Sequence, residues 1–377
     1  MKKFRFLSII FFIITLLSVL CSCEDSNGGF AFELTSDENS YIVSKYKGRD
    51  TDVIIPSSYN ELPVTIIGRE AFRGKKKITN IDIPNSITSI EYQAFEGCSS
   101  LTNVVIPDSV TNIGNDAFRG CSSFTNVVIP NSVTGIGYKA FADCNNLESV
   151  TIPFVGCEPN DENKVTYLGS VFGGETNINV PTNKTLPESL KEVIITSGTS
   201  IGATAFAQCE YIERVEIPSS VVSIGQGAFH RCSSLSSIEI PSSVASIAVG
   251  AFYGCSSLTS VTFEEGSQLT SIDNVVFEGC SSLSSIEIPS TVKEIMFAAF
   301  YGCSSLTSIV IPEGVTSIGN RVFEGCSSLI IYCETEEKPS DWSADWDVFG
   351  KTSEERLTIY WSGQWEYDAN GNPVPLS

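Results

Sequence analysis

The sequence predicts a repeat solenoid, in which short β-rich coils stack in a line instead of closing around a single core. Cysteines recur every 23 residues, as at Cys98, Cys121 and Cys144. The phrases Ile-Pro, Ala-Phe and Gly-Cys return in the same order within these periods. Of the 377 residues, 42% are hydrophobic, which is enough for a long ordered core. A solenoid exposes a long, regular surface, which is typical of proteins that bind other molecules.

The N-terminal segment is similar to a bacterial lipoprotein signal peptide. A basic start is followed by an apolar run from Phe6 to Leu20. This run is shorter than the ~20 residues that a membrane span needs. It ends in Leu20-Cys21-Ser22-Cys23, which resembles a lipobox with Cys23 as the lipidated residue. We therefore predict a signal peptide over residues 1–22, with an uncleaved signal anchor as the alternative.

Residues 23–52 are predicted to form a tether and an N-terminal β cap. Glu24 and Asp25 follow Cys23 at once and resemble the signal that exports lipoproteins of the Bacteroides group to the cell surface. Apolar residues alternate within Phe30–Leu34 and resume at Tyr41–Val43, on either side of a turn-forming Asp-Glu-Asn-Ser sequence. This pattern predicts a β-hairpin that covers the first coil.

One period shows how each coil is expected to fold. In Leu101–Pro107, Val104 and Ile106 share one face of a predicted strand, and the proline ends that strand because it has no N–H to donate. A second short strand is predicted over Val110–Ile113. A helical turn then follows and buries Phe118 in the core.

Stacked coils predict ladders of identical side chains at a spacing of about 4.8 Å. One buried phenylalanine stabilises each coil by roughly 1.5–3 kcal/mol. Nine cysteines occupy a single repeat position. We predict buried thiols there, not disulfides or a metal site, because a free thiol packs well as a small apolar group. Cys157 and Cys333 lie outside this ladder and are either free or paired. The predicted phenylalanine ladder comprises Phe95, Phe118, Phe141, Phe206, Phe229, Phe252, Phe300 and Phe323.

The solenoid is predicted to extend over residues 53–333, with one interruption. Residues 154–189 break the period with several glycines and prolines, although Val171-Phe172-Gly173-Gly174 still resembles a repeat. This segment predicts a distorted coil with a protruding loop. Residues 334–377 are rich in acids and hold all four tryptophans. We predict that they form a C-terminal cap, because the last coil would otherwise expose its apolar layer.

The repeat Ile-Pro-x-Ser-Val-Thr-x-Ile-Gly-x-x-Ala-Phe-x-Gly-Cys-Ser-Ser-Leu resembles the BspA-like leucine-rich repeats of Bacteroides and related bacteria. The resemblance covers roughly Val53 to Cys333. It implies a right-handed solenoid of the leucine-rich-repeat type. Several members of the family resemble adhesins that bind host extracellular proteins or other bacteria.

Charge and composition exclude several functions. Lys and Arg total 23 against 44 Asp and Glu, a net charge of −21, so the chain lacks the basic surface that nucleic-acid binding requires. The only histidine, His230, is expected at the surface, and its isolation removes most acid–base and metal chemistry. Gly198–Gly202 matches the G-x-S-x-G pattern of hydrolases but is part of the repeat. We predict no catalytic residues, no cofactor, no metal site and no enzyme activity.

Four acidic residues are predicted to share one outward column of strand positions: Asp82, Glu216, Glu239 and Glu287. Carboxylates stacked about 5 Å apart repel one another and favour a cationic partner. We predict that the column is part of an acidic binding face; the alternative is an ordinary solvated surface. The neighbouring column carries Asn103, Asn126, Ser149, Ser237, Ser260, Ser285 and Ser308.

Two further motifs carry weaker signals. Asp108-Ser109-Val110 resembles the O-glycosylation motif of Bacteroides proteins, which makes Ser109 a candidate for modification. Residues 368–372 faintly resemble a calcium-binding loop, but they have no downstream glutamate. A polar turn is the preferred interpretation of that segment.

These features together predict an outer-membrane lipoprotein exposed on the cell surface, attached to the membrane by its lipid alone. Its predicted partner is a protein of the host extracellular matrix or of another bacterial surface. The alternative is a carbohydrate-binding lipoprotein that captures gut glycans. Exposed aromatic side chains that stack on sugar rings would favour the alternative. The only dense group of tryptophans in the sequence is Trp342, Trp346, Trp361 and Trp365.

Overall fold

The computed structural model is a β-solenoid of about 12 turns with roughly 23 residues per coil, which confirms the predicted fold class. It describes residues 27–156, 167–174, 185–348, 350 and 356–376. Each regular coil has a first strand, a second strand and a turn segment that carries the buried phenylalanine. The buried side chains of successive coils form one continuous core along the stack.

The predicted N-terminal hairpin is present. Strands β1 (Phe30–Leu34) and β2 (Tyr41–Tyr46) pair antiparallel, with a bulge between Ala31 and Phe32. β2 pairs in parallel with β5 (Leu62–Ile67), which begins the stack of second strands. The hairpin therefore covers the N-terminal end of the core, and β4 (Ser58–Tyr59) adds to the other end of β5.

The first strands stack in parallel, in four groups whose members are hydrogen-bonded to one another. The first group holds two strands, and the other groups hold four, three and three. In order, they are β3 (Asp52–Ile54) and β6 (Asn80–Asp82); β9 (Asn126–Val128), β11 (Ser149–Ile152), β12 (Glu192–Ile195) and β14 (Arg214–Glu216); β16 (Ser237–Ile240), β18 (Ser260–Phe263) and β20 (Ser285–Ile286); and β22 (Ser308–Ile311), β24 (Ile330–Cys333) and β25 (Thr358–Tyr360).

One expected first strand is missing. Residues Asn103–Ile106 form no strand, and their backbone makes no hydrogen bond to another backbone group of the described residues. Val104 and Ile106 are nevertheless buried, as the sequence predicted. The prediction of a paired strand in this coil was therefore wrong, although the side-chain alternation that motivated it is correct.

The second strands stack in parallel beside the first strands. Each is short, and each places one isoleucine in the core. After β5 they are β7 (Ser89–Ile90), β8 (Asn112–Ile113), β10 (Gly135–Ile136), β13 (Ser200–Ile201), β15 (Ser223–Ile224), β17 (Ser246–Ile247), β19 (Ser271–Ile272), β21 (Glu294–Ile295) and β23 (Ser317–Ile318).

The third side of each coil is a succession of tight turns where the sequence predicted a helical turn. The turns are closed by backbone bonds over three residues, as from Cys121 N–H to Phe118 O at 3.1 Å. The phenylalanine amide then donates to the next coil, as from Phe95 N–H to Ala117 O at 2.7 Å. Hydrogen bonds therefore join neighbouring coils on this side too.

The phenylalanine ladder is confirmed and is longer than predicted. Rings in successive coils stack with centroids 5.0–5.7 Å apart. Phe72 and Phe277 extend the predicted set. Phe277, like Phe323, follows a valine, whereas the other rings of the ladder follow an alanine.

The irregular segment keeps its place in the stack. Helix α1 (Gly169–Phe172), the only α-helix in the described ranges, brings the buried Phe172 between the coils of Phe141 and Phe206. Phe141 N–H donates to Val171 O at 3.0 Å, and Leu168 N–H donates to Ala205 O at 2.9 Å. The repeat-like sequence in this segment thus forms the turn of an enlarged coil.

The C-terminal end of the core is covered by tryptophans. The ring of Trp346 meets Phe323 edge-on at 6.2 Å, and Trp342 packs against Trp346 at 4.8 Å. The indole N–H of Trp342 also donates to Val315 O at 3.2 Å. An antiparallel hairpin of β26 (Trp365–Tyr367) and β27 (Pro373–Pro375) follows. Among the described residues, no helix has the length and apolar character to cross a membrane.

Candidate binding face

The outward positions of the first strands form a single column, here called the outward column. The pairing register of the parallel strands aligns these positions from coil to coil. Val105 is not in a strand and is assigned to the column by its position in the repeat. Because the inward neighbours on each strand are buried, the column's side chains face away from the core. In order, it holds Ile54, Asp82, Val105, Val128, Thr151, Ile194, Glu216, Glu239, Thr262, Glu287, Val310, Tyr332 and Tyr360.

The four predicted acids lie in the outward column but do not form an uninterrupted stack. Glu216 and Glu239 occupy neighbouring coils, on β14 and β16, which pack together without pairing. Thr262 separates Glu239 from Glu287. Asp82 stands apart, near the N-terminal end, beyond coils whose column residues carry no charge. Close carboxylate stacking is therefore confined to one pair.

A basic residue already neutralises part of this acidic region. The Arg214 guanidinium makes ion pairs with both Glu192 and Glu216. Hydrogen bonding to Glu192, and then to Glu216, raises the pKa of Arg214 above its ordinary value. By contrast, Glu239 and Glu287 are exposed and form no ion pair within the described part of the chain. Together with the exposed Asp82, these are the carboxylates of the column that are available to an external cation.

Apart from Asp82 and Thr151, the N-terminal half of the outward column is apolar. Val105 is 72% exposed and Val128 is 58% exposed. They line an outward-facing groove of about 550 Å³ that also includes Asn103, Asn126 and Asp108 and extends to Thr151 and Thr196 of the next two coils. The repeat pattern singles out the two asparagines but does not predict the groove, because a groove that spans several coils is a property of the stack and not of one repeat.

An aromatic cluster at the C-terminal end is a second feature that the repeat pattern does not predict. The rings of Tyr332 and Tyr360 stack at 5.5 Å, and Trp365 covers Tyr332 at 5.5 Å. Tyr367 is exposed at the end of this cluster. Burial, followed by the charges of Glu334 and Glu287, raises the pKa of Tyr367.

The tryptophans are placed as structural residues. Trp342 and Trp346 are buried in the C-terminal cap. Trp365 is held by its indole N–H, which donates to Cys333 O at 3.0 Å. Trp361 is half-buried and packs beside Trp342 at 6.0 Å. The side chains that would favour glycan capture are therefore largely occupied by the cap.

The cysteine ladder consists of buried free thiols, as predicted, and Cys333 is free as well. Each thiol of a regular coil donates to a phenylalanine carbonyl of the preceding coil, as from Cys121 Sγ to Phe95 O at 3.4 Å. Burial raises the pKa of Cys98 and Cys144 to about 12, which keeps these thiols neutral. No group of three or more potential metal ligands occurs in the described ranges.

The remaining candidates fall in ordinary structural positions. The hydroxyl of Ser109 is half-buried and donates to Ile87 O at 2.6 Å. His230 is half-buried and stacks on Tyr253 at 4.9 Å, which differs from the expected surface position. Burial, followed by the charge of Arg231, lowers the pKa of His230. Cys23 and Cys157 lie outside the described residues.

The polar segment before β27 is a turn. Two backbone amides, those of Asn370 and Asn372, donate to the carboxylate of Asp368 at 2.8 Å each. These bonds lower the pKa of Asp368. The carboxylate thus closes the hairpin, in line with the polar-turn interpretation.

The repeat itself identifies the family. Residues 51–158 and 187–330 match the family described as the BspA type leucine rich repeat region, in six copies. The chain belongs to this family. A BspA-type solenoid is typically a binding scaffold and not an enzyme.

Several solved leucine-rich-repeat structures are similar to this BspA-type chain. A leucine-rich repeat protein from Bacteroides ovatus is 24% identical, with 88% of this chain and 98% of that chain covered and a TM-score of 0.38. A leucine rich cell surface protein from Faecalibacterium prausnitzii is 26% identical, with 84% and 95% covered and a TM-score of 0.33. A leucine rich repeat protein from T. pallidum is 24% identical, with 69% and 90% covered and a TM-score of 0.33. No curated protein matches the chain.

Proposed function

We propose that this protein is a cell-surface lipoprotein whose solenoid binds a protein on the host matrix or on another bacterium, and so mediates adhesion. The exposed, unpaired carboxylates of Glu239 and Glu287 in the outward column are the observation that carries this proposal. The strand ladder fixes their spacing, so a partner with matching basic groups meets a preorganised surface. The outer-membrane location rests on the signal peptide proposed for residues 1–22 and the lipid proposed for Cys23.

The charge of the whole chain supports the same type of partner. A net charge of −21 repels anionic surfaces and attracts basic proteins over a distance of about one Debye length, ~8 Å at physiological salt. Binding through exposed carboxylates is therefore expected to weaken as salt concentration rises. The proposed domain limits are 23–52 for the tether and N-terminal cap, 53–333 for the solenoid and 334–377 for the C-terminal cap.

The proposal is tested by probing an array of host matrix proteins and gut glycans with the purified protein, with and without calcium. We expect a saturable protein hit that weakens about tenfold or more when Glu216, Glu239 and Glu287 are all changed to Gln. The matched control changes three exposed acids away from the column, Glu38, Glu210 and Glu265, to Gln. Equal binding by both triple variants would refute the acidic face, and a glycan-only hit would favour the carbohydrate alternative.

Lipidation and glycosylation are tested separately. Radioactive palmitate should label the wild-type protein and the Cys21→Ser variant, but not the Cys23→Ser variant. Labelling of Cys23→Ser would contradict the proposed anchor. Mass spectrometry of the native protein should find a modified peptide that contains Ser109, and an unmodified peptide would remove that candidate.

A further inference from the structure

The N-terminal end of the solenoid carries a concentration of basic residues in an otherwise acidic chain. Of the 23 Lys and Arg residues in the sequence, eight lie within residues 45–77, which hold only four acids. This stretch therefore has a net charge of +4, against −21 for the whole chain. The eight basic residues, here called the basic patch, lie in two segments, 45–49 and 69–77.

Hydrogen bonds join the two segments of the basic patch into one surface. Tyr46 N–H donates to Ala71 O at 2.8 Å, which extends the ladder of turns by one layer beyond the first full coil. Lys75 Nζ donates to Gly48 O at 3.0 Å and so crosses between the same two layers. The patch is therefore the outermost turn layer at the N-terminal end, and the fold fixes the positions of its backbone.

Half of the basic patch is available to an external anion. Four of its side chains are exposed and make no ion pair or hydrogen bond within the described part of the chain. They are Lys47, Arg49, Lys76 and Lys77. By contrast, Arg73 pairs with Glu96 at 2.7 Å. Lysine and arginine groups without a protein partner are well suited to phosphate oxygens.

The chain enters the solenoid beside the basic patch. Lys47 N–H donates to Gly29 O at 2.7 Å, which places the start of the described chain against the first basic segment. Asn27 is the first described residue and follows Cys23, the proposed lipid site, by four residues. Four residues of extended chain span at most about 14 Å. A membrane anchor at Cys23 therefore holds the basic patch close to the lipid headgroups.

We propose that the basic patch binds the phosphate groups of the lipid headgroups in the membrane that anchors the chain. This contact rests on the proposed membrane anchor, adds to it, and orients the solenoid with its N-terminal end on the membrane. Each Lys or Arg close to an anionic membrane surface adds to the affinity for that surface. The anchor and the patch thus act on the same end of the molecule.

The acidic coils do not prevent this contact. Glu239 lies seven column positions beyond Ile54, roughly 34 Å at ~4.8 Å per coil. Charges are screened over only ~8 Å at physiological salt, so repulsion between Glu239 and the membrane is weak at that distance. The same orientation holds Glu239 and Glu287 away from the membrane, where a protein partner reaches them.

The test is lysine acylation of the full chain reconstituted in vesicles of phosphatidylcholine, either alone or with about one third phosphatidylglycerol. A water-soluble reagent is used, and mass spectrometry reads each site. Lys47, Lys76 and Lys77 should react about five- to tenfold more slowly in the anionic vesicles. Lys293 and Lys338, which are exposed far along the chain, should react equally in both. Salt at about 1 M should remove the protection, because the screening length falls to ~3 Å.

A triple variant separates the patch from the anchor. Lys47→Gln, Lys76→Gln and Lys77→Gln remove three charges that make no bond in the folded chain, so the fold should be retained. The exposed Lys45, which is unchanged, should then react at the same rate in both kinds of vesicle.

The matched control variant changes Arg231, Lys293 and Lys338, all exposed, to Gln and should keep the protection of Lys45 in anionic vesicles. Equal acylation of wild-type lysines in both kinds of vesicle would overturn the proposal, as would equal protection of Lys45 in both triple variants. Protection in neutral vesicles that grows with protein concentration would show that a second copy covers the patch, which also overturns it. Binding of a protein partner through Glu239 and Glu287 is measured independently, so each proposal can fail alone.

Discussion

Single phenylalanine residues carry two roles in this solenoid. The ring stacks on its neighbours, while the carbonyl accepts hydrogen bonds from two coils. Phe95 O accepts the amide of Cys98 at 3.1 Å and the thiol of Cys121 at 3.4 Å. Since a phenylalanine recurs in each coil, both interactions recur along the core. Residue identity at the Phe and Cys positions is therefore set by packing, not by chemistry with a ligand.

Removal of one ring from the ladder should loosen its own coil and its neighbours. Phe252 stacks on Phe229 at 5.0 Å and on Phe277 at 5.5 Å. Phe252→Ala should cost about 3–5 kcal/mol, because the rigid stack cannot close the cavity. Hydrogen exchange of the amides around residues 229 and 277 should accelerate accordingly. The control is Phe297→Ala, which removes a ring that is 44% exposed and should change hydrogen exchange little. Equal acceleration of exchange by Phe252→Ala and Phe297→Ala would contradict a stabilising role for the ladder.

The buried thiols should make the fold sensitive to alkali. Burial raises the pKa of Cys98 and Cys144 to about 12 from an ordinary value of 9.0. Their stabilising contribution is complete below pH 9 and is lost as pH rises toward 12, because the unfolded thiols ionise first. The midpoint of thermal unfolding should be measured from pH 8 to 11. It should fall less steeply with rising pH in the double variant Cys98→Ala, Cys144→Ala than in the wild-type protein. An identical slope would show that other groups control alkaline unfolding.

At the scale of elements, two identical sequences fold differently. Thr-Asn-Val-Val-Ile-Pro occurs at residues 102–107 and again at 125–130, yet only the second copy forms a strand, β9. Periodicity predicted which side chains are buried in both copies, since burial depends on the repeat. It could not predict the hydrogen bonds, which depend on the separation between neighbouring coils. The groove was missed for the same reason, while the acidic positions could be read from the strand pattern.

The C-terminal cap should control how far the solenoid stays folded. Trp346 covers the last ring of the ladder, Phe323. Trp346→Ala should expose that ring and speed exchange in the final coil, with an effect that decreases toward the N-terminus because coils contact only their neighbours. Limited proteolysis should cut first after about residue 300. Initial cleavage near residue 100 would contradict a role for this cap.

At the scale of the molecule, the coils are interchangeable units. Deletion of residues 233–255 removes one complete coil and joins Cys232 to a second Ser-Ser-Leu sequence. We expect this variant to remain folded and to be shorter by about 4.8 Å in small-angle scattering. Deletion of residues 233–244 removes half a coil and should unfold the stack locally, because it removes the first strand Ser237–Ile240 and the buried Leu235 and Val244, so the shortened coil cannot close. Equal stability of both variants would contradict the modular description.

The stacking of coils whose backbone hydrogen bonds reach only their neighbours also determines how the molecule responds to force. When its two ends are pulled apart, the terminal coil peels away first, while the remaining interfaces stay intact. Each detached coil of roughly 23 residues releases about 75 Å of chain. The force on the molecule therefore falls in a series of steps, one for each coil that unfolds, and not in a single unfolding event.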